Sequence, residues 1–397
     1  MIKERIIEKS HEIKEELIKI RRDIHSHPEL GLEEKRTSSL VADILRRLEI
    51  DVQENVGVTG VIGVLKGKYE GRTIILRSDM DCLKIEELND IEYKSKYPGK
   101  MHACGHDAHT TWLLGAAMIL SELRDEIHGN VKFLFQPAEE GLGGAERMIN
   151  EGVMDNPKVD AAIGAHVWPS VEAGKIGVKY GSMMAAADEF QLIIKGKGAH
   201  AAEPHKSVDP ISVAVQIYAG LQTILSRRIN PVEPAVVTVG MFNAGSACNV
   251  IPEKAVLSGT VRTLSNKMRD SIPEMIEVLV KGITEANGAD YELIYKKKYP
   301  PVINNDEMVS IIEKSGNEIL GKDNVVKIET PTMGGEDFSY FGQNVPGAFF
   351  IVGTKNAEKD ILPSLHSPYF NIDEDILNKA AAVMAQCAVT YLNGGIE

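Results

Sequence analysis

The sequence has little of what marks several classes of protein. Its 4 cysteines, among 397 residues, are widely separated, which excludes a disulfide-stapled secreted scaffold. No run approaches the roughly 18 consecutive apolar residues of a membrane-spanning helix, and the first residues lack an apolar signal core. Basic residues number 44 against 57 acidic ones, and the resulting formal charge of −13 repels nucleic-acid phosphates. We therefore expect a cytoplasmic protein with no nucleic-acid partner and no membrane partner.

The composition is that of a globular protein with more than one domain. Hydrophobic residues make up 43% and charged residues 25% of the chain, and 397 residues suffice for two or three domains. In the first half, short apolar runs typical of buried strands alternate with helical patterns; the runs are Val61–Leu65, Thr73–Leu76, Val131–Phe135 and Ala161–Ala165. This alternation predicts an α/β domain whose mixed, largely parallel sheet is flanked by helices.

The pattern changes after about Gly181. Predicted strands and helices then follow in the order β-α-β-β-α-β, from the strand Phe190–Ile194 to the strand Tyr291–Lys297. That order is the split unit of ferredoxin-like α+β folds. The α/β pattern resumes at Asp306–Leu320. The sequence therefore predicts a catalytic domain made of residues 1–181 and 298–397, with an inserted domain over residues 182–297.

The densest group of possible metal ligands is the run MHACGHDAH at residues 101–109, just ahead of an apolar helix predicted from about Thr110 to Leu123. The glycine between Cys104 and His106 lets the backbone turn tightly, so that a thiolate and an imidazole can reach one cation. Histidines at the start of a helix can also serve only as caps and hydrogen-bond partners. On its own, the run indicates a metal site but leaves the structural alternative open.

Carboxylates and an imidazole follow three predicted strands of the same sheet. They are Asp79 and Asp81 after Thr73–Leu76, Glu139 and Glu140 after Val131–Phe135, and His166 after Ala161–Ala165. The carboxyl ends of strands form the edge at which open α/β sheets bind ligands, so we expect these groups to lie together. One of the paired glutamates can bind metal while the other takes a proton from water, and the spacing does not say which. A further histidine, His366, stands alone in a loop.

Nine motifs together resemble a known family. They are RSDMDCLKI, MHACGHDAH, QPAEEG, GAHVWP, GKGAHAAEPH, CNVIP, GTVRT, GGEDF and SLHSP, in this order along the chain. The set is similar to the amidohydrolase branch of the M20 metallopeptidases, which contains aminoacylases, hippurate hydrolases and plant auxin-conjugate hydrolases. The resemblance extends from about His25 to Phe370. It implies a catalytic domain with two metal ions and an inserted ferredoxin-like lid domain that joins the chain into a homodimer or a higher homo-oligomer.

The resemblance also implies which residues bind the metals. The implied ligands are Cys104, His106, Glu140, His166 and His366. Glu139 is implied as the general base, a choice that spacing alone leaves open. Many relatives have a bridging aspartate where this chain has Cys104. Asp79 is not assigned as a ligand, and Asp81 is expected to orient a metal-binding side chain through a hydrogen bond.

Three residues of the inserted domain are implied to bind substrate. His200 lies in a glycine-flanked loop, and the resemblance places it in the partner subunit's site, where it would stabilise the charge on the attacked carbonyl oxygen. Asn249 and Arg262 are implied to hold the carboxylate of the substrate, for which a guanidinium fork is well shaped. Without the resemblance, a lone strand arginine or loop histidine indicates only an exposed polar group.

We therefore predict a metal-dependent amidohydrolase that cleaves the amide bond of N-acyl amino acids. Two divalent cations are expected per subunit, with zinc favoured and manganese, cobalt and nickel as alternatives. The alternative substrates are those of a metallo-carboxypeptidase or dipeptidase of the same family, or of an N-acetyl-diaminopimelate deacetylase. Residue types alone also allow a cysteine-nucleophile hydrolase built on Cys104, or a metal-dependent binding protein without turnover.

Overall fold

The computed structural model describes residues 2–394, which form ten α-helices and sixteen β-strands. The helices are α1 (Ile2–Glu12), α2 (Lys14–Ser26), α3 (Lys35–Arg47), α4 (His106–Ser121), α5 (Gly144–Asn150), α6 (Pro210–Thr223), α7 (Asn266–Asn287), α8 (Asp306–Leu320), α9 (Ser339–Asn344) and α10 (Leu377–Leu392). The strands are β1 (Asp51–Val56), β2 (Gly60–Lys66), β3 (Tyr69–Asp79), β4 (His128–Gln136), β5 (Ala161–Glu172), β6 (Ile176–Val178), β7 (Gly181–Met184), β8 (Ala186–Lys195), β9 (Ala199–His200), β10 (Ala235–Ala244), β11 (Val250–Ile251), β12 (Lys254–Thr263), β13 (Asp290–Tyr299), β14 (Val302–Asn304), β15 (Val325–Lys327) and β16 (Gly347–Lys355). Within this range no helix combines the length and the apolar character needed to cross a bilayer.

The larger sheet has eight strands in the order β1-β2-β4-β3-β5-β16-β6-β15. Its four central strands, β4, β3, β5 and β16, are parallel to one another, and both β1 with β2 and β2 with β4 pair antiparallel. Helices α4 and α10 contact each other and β3, and their apolar side chains join one continuous core. The predicted mixed, largely parallel sheet with flanking helices is confirmed.

The smaller sheet has four antiparallel strands in the order β10-β12-β8-β13. Helices α6 and α7 pack against it and close a second core, which includes Phe190, Leu257 and Ile276. Along the chain the elements follow as β8-α6-β10-β12-α7-β13. This is the ferredoxin-like order expected from the sequence, and the predicted inserted α+β fold is confirmed.

The chain divides into two compact units. The first runs to Gly181 and includes Asn304–Thr330 and the chain from Asp337 on, and the second comprises Ser182–Ile303 and Pro331–Glu336. The sequence-based boundary at 297/298 falls inside β13, so that the last two residues of that strand lie beyond it. The expected ranges, 1–181 with 298–397 and 182–297, stay a prediction for the domains of the functional protein.

Two differences from the sequence-based elements affect the candidate site. Helix α4 begins at His106, four residues earlier than the predicted helix start at Thr110, so the last histidines of the run are helical. Strand β5 continues to Glu172, so His166 lies within the strand rather than after it. The neighbouring β3 pairs with β5 only as far as Arg77 opposite Gly164, whereas β16 follows β5 further. His166 therefore lies beyond the last residue of β5 that pairs with β3.

Candidate metal centre

Cys104 and His106 are brought together by a left-handed turn at the start of α4. Gly105, between them, has φ 84°, a conformation that side chains rarely adopt. A Cβ at this position would lie 2.5 Å from Cγ2 of Val167 on β5, so the turn also needs the space that glycine leaves. Because the loop contacts β5, the Cys104 Sγ lies 3.4 Å from Nε2 of His166.

Five of the predicted residues form two groups that share one thiol. Cys104, His106 and His166 make the first group, and Cys104, Glu140 and His366 make the second; in each, the possible ligand atoms all lie within 4.8 Å of one another. Nε2 of His366 lies 3.3 Å from the Cys104 Sγ and 3.5 Å from Oε1 of Glu140. Ligand bonds of about 2.0–2.3 Å in tetrahedral geometry place neighbouring ligand atoms about 3.3–3.8 Å apart. The spacing in each group therefore suits a cation, and Cys104 belongs to both groups.

Hydrogen bonds on the far ring nitrogens turn the buried imidazoles toward this space. Nδ1 of His106 lies 3.2 Å from Oδ1 of Asp81, and Nδ1 of His166 donates to the carbonyl of Val167 at 2.7 Å. Both rings are left with Nε2 directed at the shared cluster. This is how proteins hold histidines that ligate metals.

The two groups also leave buried polar atoms without hydrogen bonds. Nε2 of His106 and Oε1 of Glu140 are inaccessible to solvent and lack a hydrogen-bond partner. An unpaired buried polar atom costs about 1–3 kcal/mol, which a bound cation would offset. The donor set of one thiol, three imidazoles and one carboxylate suits a borderline-soft divalent ion. The residues present therefore fit a metal.

The electrostatics of the cluster also favour positive charge. Burial raises the pKa of the Cys104 thiol well above its ordinary value, and the carboxylates of Glu140 and Glu139 raise it further. Burial lowers the pKa of His106, but the surrounding carboxylates, Asp79 foremost, raise it to about 10. The carboxylates around His106 therefore favour positive charge at this position.

Glu139 and Glu140 lie in a turn that begins where β4 ends. The backbone N–H of Glu139 donates to Oδ1 of Asp81 at 3.0 Å, and the N–H of Glu140 donates to Oδ2 at 3.0 Å. Asp81 thus fixes the backbone of both glutamates as well as the ring of His106. Oε1 of Glu139 accepts a hydrogen bond from the backbone N–H of Asp337 at 3.4 Å, so the carboxylate has a defined direction.

A buried network under this turn was not predicted from the sequence. Arg77 donates to Gln136 at 2.9 Å, to Asp79 at 2.8 Å and to Asp337 at 2.8 Å, and Gln136 donates to Asp337 at 2.7 Å. All four side chains are fully buried. All four lie in the motifs RSDMDCLKI, QPAEEG and GGEDF, but nothing in these motifs indicated that the side chains join to support the turn.

Asp79 and His109 are occupied by other partners. Nδ1 of His109 lies 2.6 Å from Oδ1 of Asp79, and Nε2 of His109 accepts the backbone N–H of Val167 at 3.0 Å. Oδ2 of Asp79 accepts from Arg77. Both ring nitrogens of His109 are therefore used, and its role is to position β5 next to α4.

The three predicted substrate-binding residues lie in the second unit. His200 on β9 is opposite Val250 on β11, and the N–H of Ala201 donates to the carbonyl of Asn249 at 3.1 Å, so His200 and Asn249 are neighbours. Both side chains are exposed. Arg262 is half-buried on β12, in the other sheet of this unit, and no hydrogen bond or ion pair among residues 2–394 joins it to the other two. The structure therefore brings His200 and Asn249 together but not Arg262.

The chain resembles proteins of one enzyme family over most of its length. The family model "Peptidase family M20/M25/M40" matches residues 75–390. A thermostable carboxypeptidase from Saccharolobus solfataricus is 40% identical over 96% of this chain and 97% of its own. An N-acyl-L-amino acid amidohydrolase from Geobacillus stearothermophilus is 47% identical over 77% of this chain and 83% of its own.

A solved structure agrees with these sequences. The Bacillus subtilis protein YxeP, a dinuclear metal-binding peptidase of the M20 family, superposes with a TM-score of 0.84 at 35% identity, over 96% of this chain and 99% of that one. Fold, motifs and relatives together define a metal-dependent hydrolase of amide or peptide bonds. The chain belongs to peptidase family M20.

Proposed function

We propose that this protein hydrolyses the amide bond of N-acyl amino acids with two divalent cations held by Cys104, His106, Glu140, His166 and His366. The observation that carries the proposal is the pair of ligand groups that share Cys104, with the Glu139 carboxylate beside them. The relatives support this substrate class, because the names of an amidohydrolase and a carboxypeptidase both describe cleavage of an amide whose amine side is an amino acid.

Glu139 is the proposed general base. When bound, the cations would polarise the amide carbonyl and lower the pKa of water. The Glu139 carboxylate takes a proton from the attacking water and then delivers it to the leaving nitrogen. Its hydrogen bond from the N–H of Asp337 holds one oxygen, and the support of its backbone by Asp81 fixes the position from which the proton moves.

Substrate recognition is proposed for the second unit. Arg262 binds the carboxylate of the amino acid, with Asn249 as a second donor, and His200 donates to the carbonyl oxygen as negative charge develops there. The exposure of His200 and Asn249 suits this proposal, because groups that meet a substrate must be reachable.

A homodimer through the second unit is proposed. Strand β10 is an edge strand, and its Met241 and Phe242 are 59% and 41% exposed. The adjacent α6 exposes Ile211, Val215 and Tyr218. An unpaired strand edge beside an apolar helix face is a surface that a second copy of the chain would cover, since it offers both backbone hydrogen bonds and apolar area. In such a dimer His200 would serve the partner subunit's site.

Zinc is the proposed ion, since one thiolate with imidazoles and a carboxylate suits it, and manganese, cobalt and nickel are the alternatives. A cytoplasmic location is proposed from the lack of a disulfide framework.

Release of C-terminal residues from peptides is a second candidate activity, favoured by the 40% identity to the carboxypeptidase. A cysteine nucleophile is disfavoured, because burial and the nearby carboxylates raise the pKa of Cys104 and oppose the thiolate in the absence of a cation.

The test is hydrolysis of a panel of N-acyl amino acids and short peptides by the purified protein, with elemental analysis of the same sample. We expect activity that a chelator abolishes and that one added divalent metal restores. Activity that resists the chelator but is lost on alkylation would instead establish the cysteine mechanism. A protein that binds two metals and turns over none of the panel would contradict the proposed function.

A further inference from the structure

The turn that carries Glu139 and Glu140 is held by a second carboxylate besides that of Asp81, namely the carboxylate of Glu34. The backbone N–H of Ala138 donates to Oε1 of Glu34 at 2.8 Å. With the two bonds to Asp81, three consecutive backbone N–H groups, those of Ala138, Glu139 and Glu140, each donate to a carboxylate. Asp81 holds two of them and Glu34 holds the third.

Ala138 needs this support because of its backbone conformation. Its φ is +55°, in the left-handed region that a residue with a Cβ seldom occupies. Gly31, in the loop that leads to Glu34, packs closely on it: a Cβ at Gly31 would lie 3.0 Å from both Cα and Cβ of Ala138. Loop and turn are therefore fitted to each other, with Glu34 as the hydrogen-bonding part of the contact.

Glu34 stands where a residue usually caps a helix, but its side chain does not do so. It is the residue before α3, and its carboxylate makes no hydrogen bond to that helix. The first turn of α3 is capped by Glu29, which accepts the N–H groups of Arg36 at 2.9 Å and Thr37 at 2.8 Å. One glutamate of the loop thus serves the helix, and the other is directed into the interior.

The environment of Glu34 is built to hold it. Its side chain is fully buried, and its second oxygen, Oε2, accepts the hydroxyl of Thr59 at 2.5 Å. Burying a carboxyl group is costly, and a chain keeps such a group where its hydrogen bonds fix something else. What this one fixes is the residue directly before Glu139.

We propose that Glu34 is a positioning residue for the reaction: by accepting the Ala138 N–H it holds the turn in the left-handed conformation that aims Glu139 and Glu140 at the cation sites. This inference rests on the proposed function for the roles of the two glutamates. The hydrogen bond itself does not require a charge, so a glutamine at position 34 can make it too.

The test compares Glu34→Ala, Glu34→Gln and the control Glu29→Ala, all full-length and loaded with the same metal. In Glu34→Ala we expect kcat to fall about 10- to 100-fold with KM changed less than about threefold, because small misplacement of reacting groups costs this much in rate. Glu34→Gln should restore kcat to within about threefold of wild type. Glu29→Ala removes the α3 cap and lowers the melting temperature, but should leave kcat within about threefold of wild type.

Equal kcat in Glu34→Ala and Glu29→Ala would overturn the proposal, and so would a glutamine variant as slow as the alanine variant. If Glu34→Ala does not fold, Glu34→Asp replaces it, because the shorter side chain cannot span Thr59 and Ala138 together. A folded aspartate variant with wild-type kcat would also refute the role.

A second measurement separates this inference from the proposed function. Hydrogen–deuterium exchange of the peptide covering residues 137–141, on metal-free protein, should be at least about tenfold faster in Glu34→Ala than in Glu29→Ala or wild type. If wild type hydrolyses none of the substrates, the proposed function fails, and the exchange result alone decides on Glu34. Unchanged exchange would contradict the inference even in an active enzyme.

Discussion

The two units of this chain hold their candidate residues in different ways. In the first, His106, His166 and Glu139 each share a hydrogen bond with a residue that would touch neither cation nor substrate. These partners are Asp81, Val167 and Asp337, respectively. In the second, His200 and Asn249 are exposed at a two-residue strand pair, and Arg262 lies in another sheet. This contrast suits the proposed roles, because ligands of small cations must be held in place in advance, whereas groups that meet a larger substrate must be accessible.

The largest expected effect is on kcat and comes from a substitution in the first unit that leaves its geometry unchanged. Glu139→Gln should keep both cations and lose about 10²–10⁴-fold in kcat, because the amide cannot take up a proton. Elemental analysis and steady-state kinetics on one preparation check this. An active glutamine variant under metal-replete conditions would remove Glu139 from its proposed role.

The shared thiol gives the next prediction. Cys104→Ala should lower the cation content from about two per chain to below one, because both ligand groups lose a member, whereas His366→Ala should retain about one. Metal content after gel filtration is the measurement. Equal losses in the two variants would mean that Cys104 is not common to both sites.

The second unit is tested through the binding of substrate. Arg262→Ala should raise KM about 10- to 100-fold with a smaller change in kcat, since a charge-assisted hydrogen bond contributes about 1.5–3 kcal/mol. Arg262→Lys should recover only part of this, and the exposed Arg227→Ala in the same unit serves as the control. Loss of bound metal in Arg262→Ala would instead show that the two units are not functionally separate.

The dimer proposal predicts complementation. His200→Ala and Glu139→Gln chains, each inactive alone, should recover about a quarter of wild-type activity when mixed into randomly paired dimers, because half of the dimers then contain one complete site. Activity of a purified heterodimer checks it. A verified heterodimer without activity would place His200 in the site of its own chain or in none.

The smallest expected effect is on stability. Burial raises the pKa of Glu34 from 4.5 to about 7, so the folded state favours the protonated form. This contribution to stability is complete below about pH 4.5 and is lost as the pH rises through about 7. In metal-free protein, the melting temperature measured by calorimetry should therefore fall further between pH 5 and pH 8 for wild type than for Glu34→Gln. Parallel curves would show that Glu34 does not titrate in this window.

Much of the fold was predictable because its apolar runs are short and clearly bounded, as at Val131–Phe135. Helix α10 was missed: nearly all of its sequence, LNKAAAVMAQCAVTYL, is buried, and its few polar residues give only a weak helical periodicity. Strand β15, with three residues, is too short to leave a pattern.

At the site, the sequence indicated which residues carry chemistry but not what supports them. Cys104 and His106 stand out because soft and imidazole ligands seldom crowd together. Glu34 and Arg77 do not, because a glutamate near a helix start and an arginine on a strand are ordinary on any surface. Only the structure shows that both are fully buried and joined to residues more than fifty positions away.

The left-handed turn at Gly105 sets limits on redesign of this centre. Any side chain there would collide with Val167, so the spacing between the two candidate ligands that flank Gly105 cannot be altered without moving β5. Position 104 is different, because its proposed contribution is a donor atom, whereas that of Gly105 is a backbone conformation. An oxygen ligand introduced at position 104 would shift the ion preference toward harder metals and would leave the turn at Gly105 unchanged.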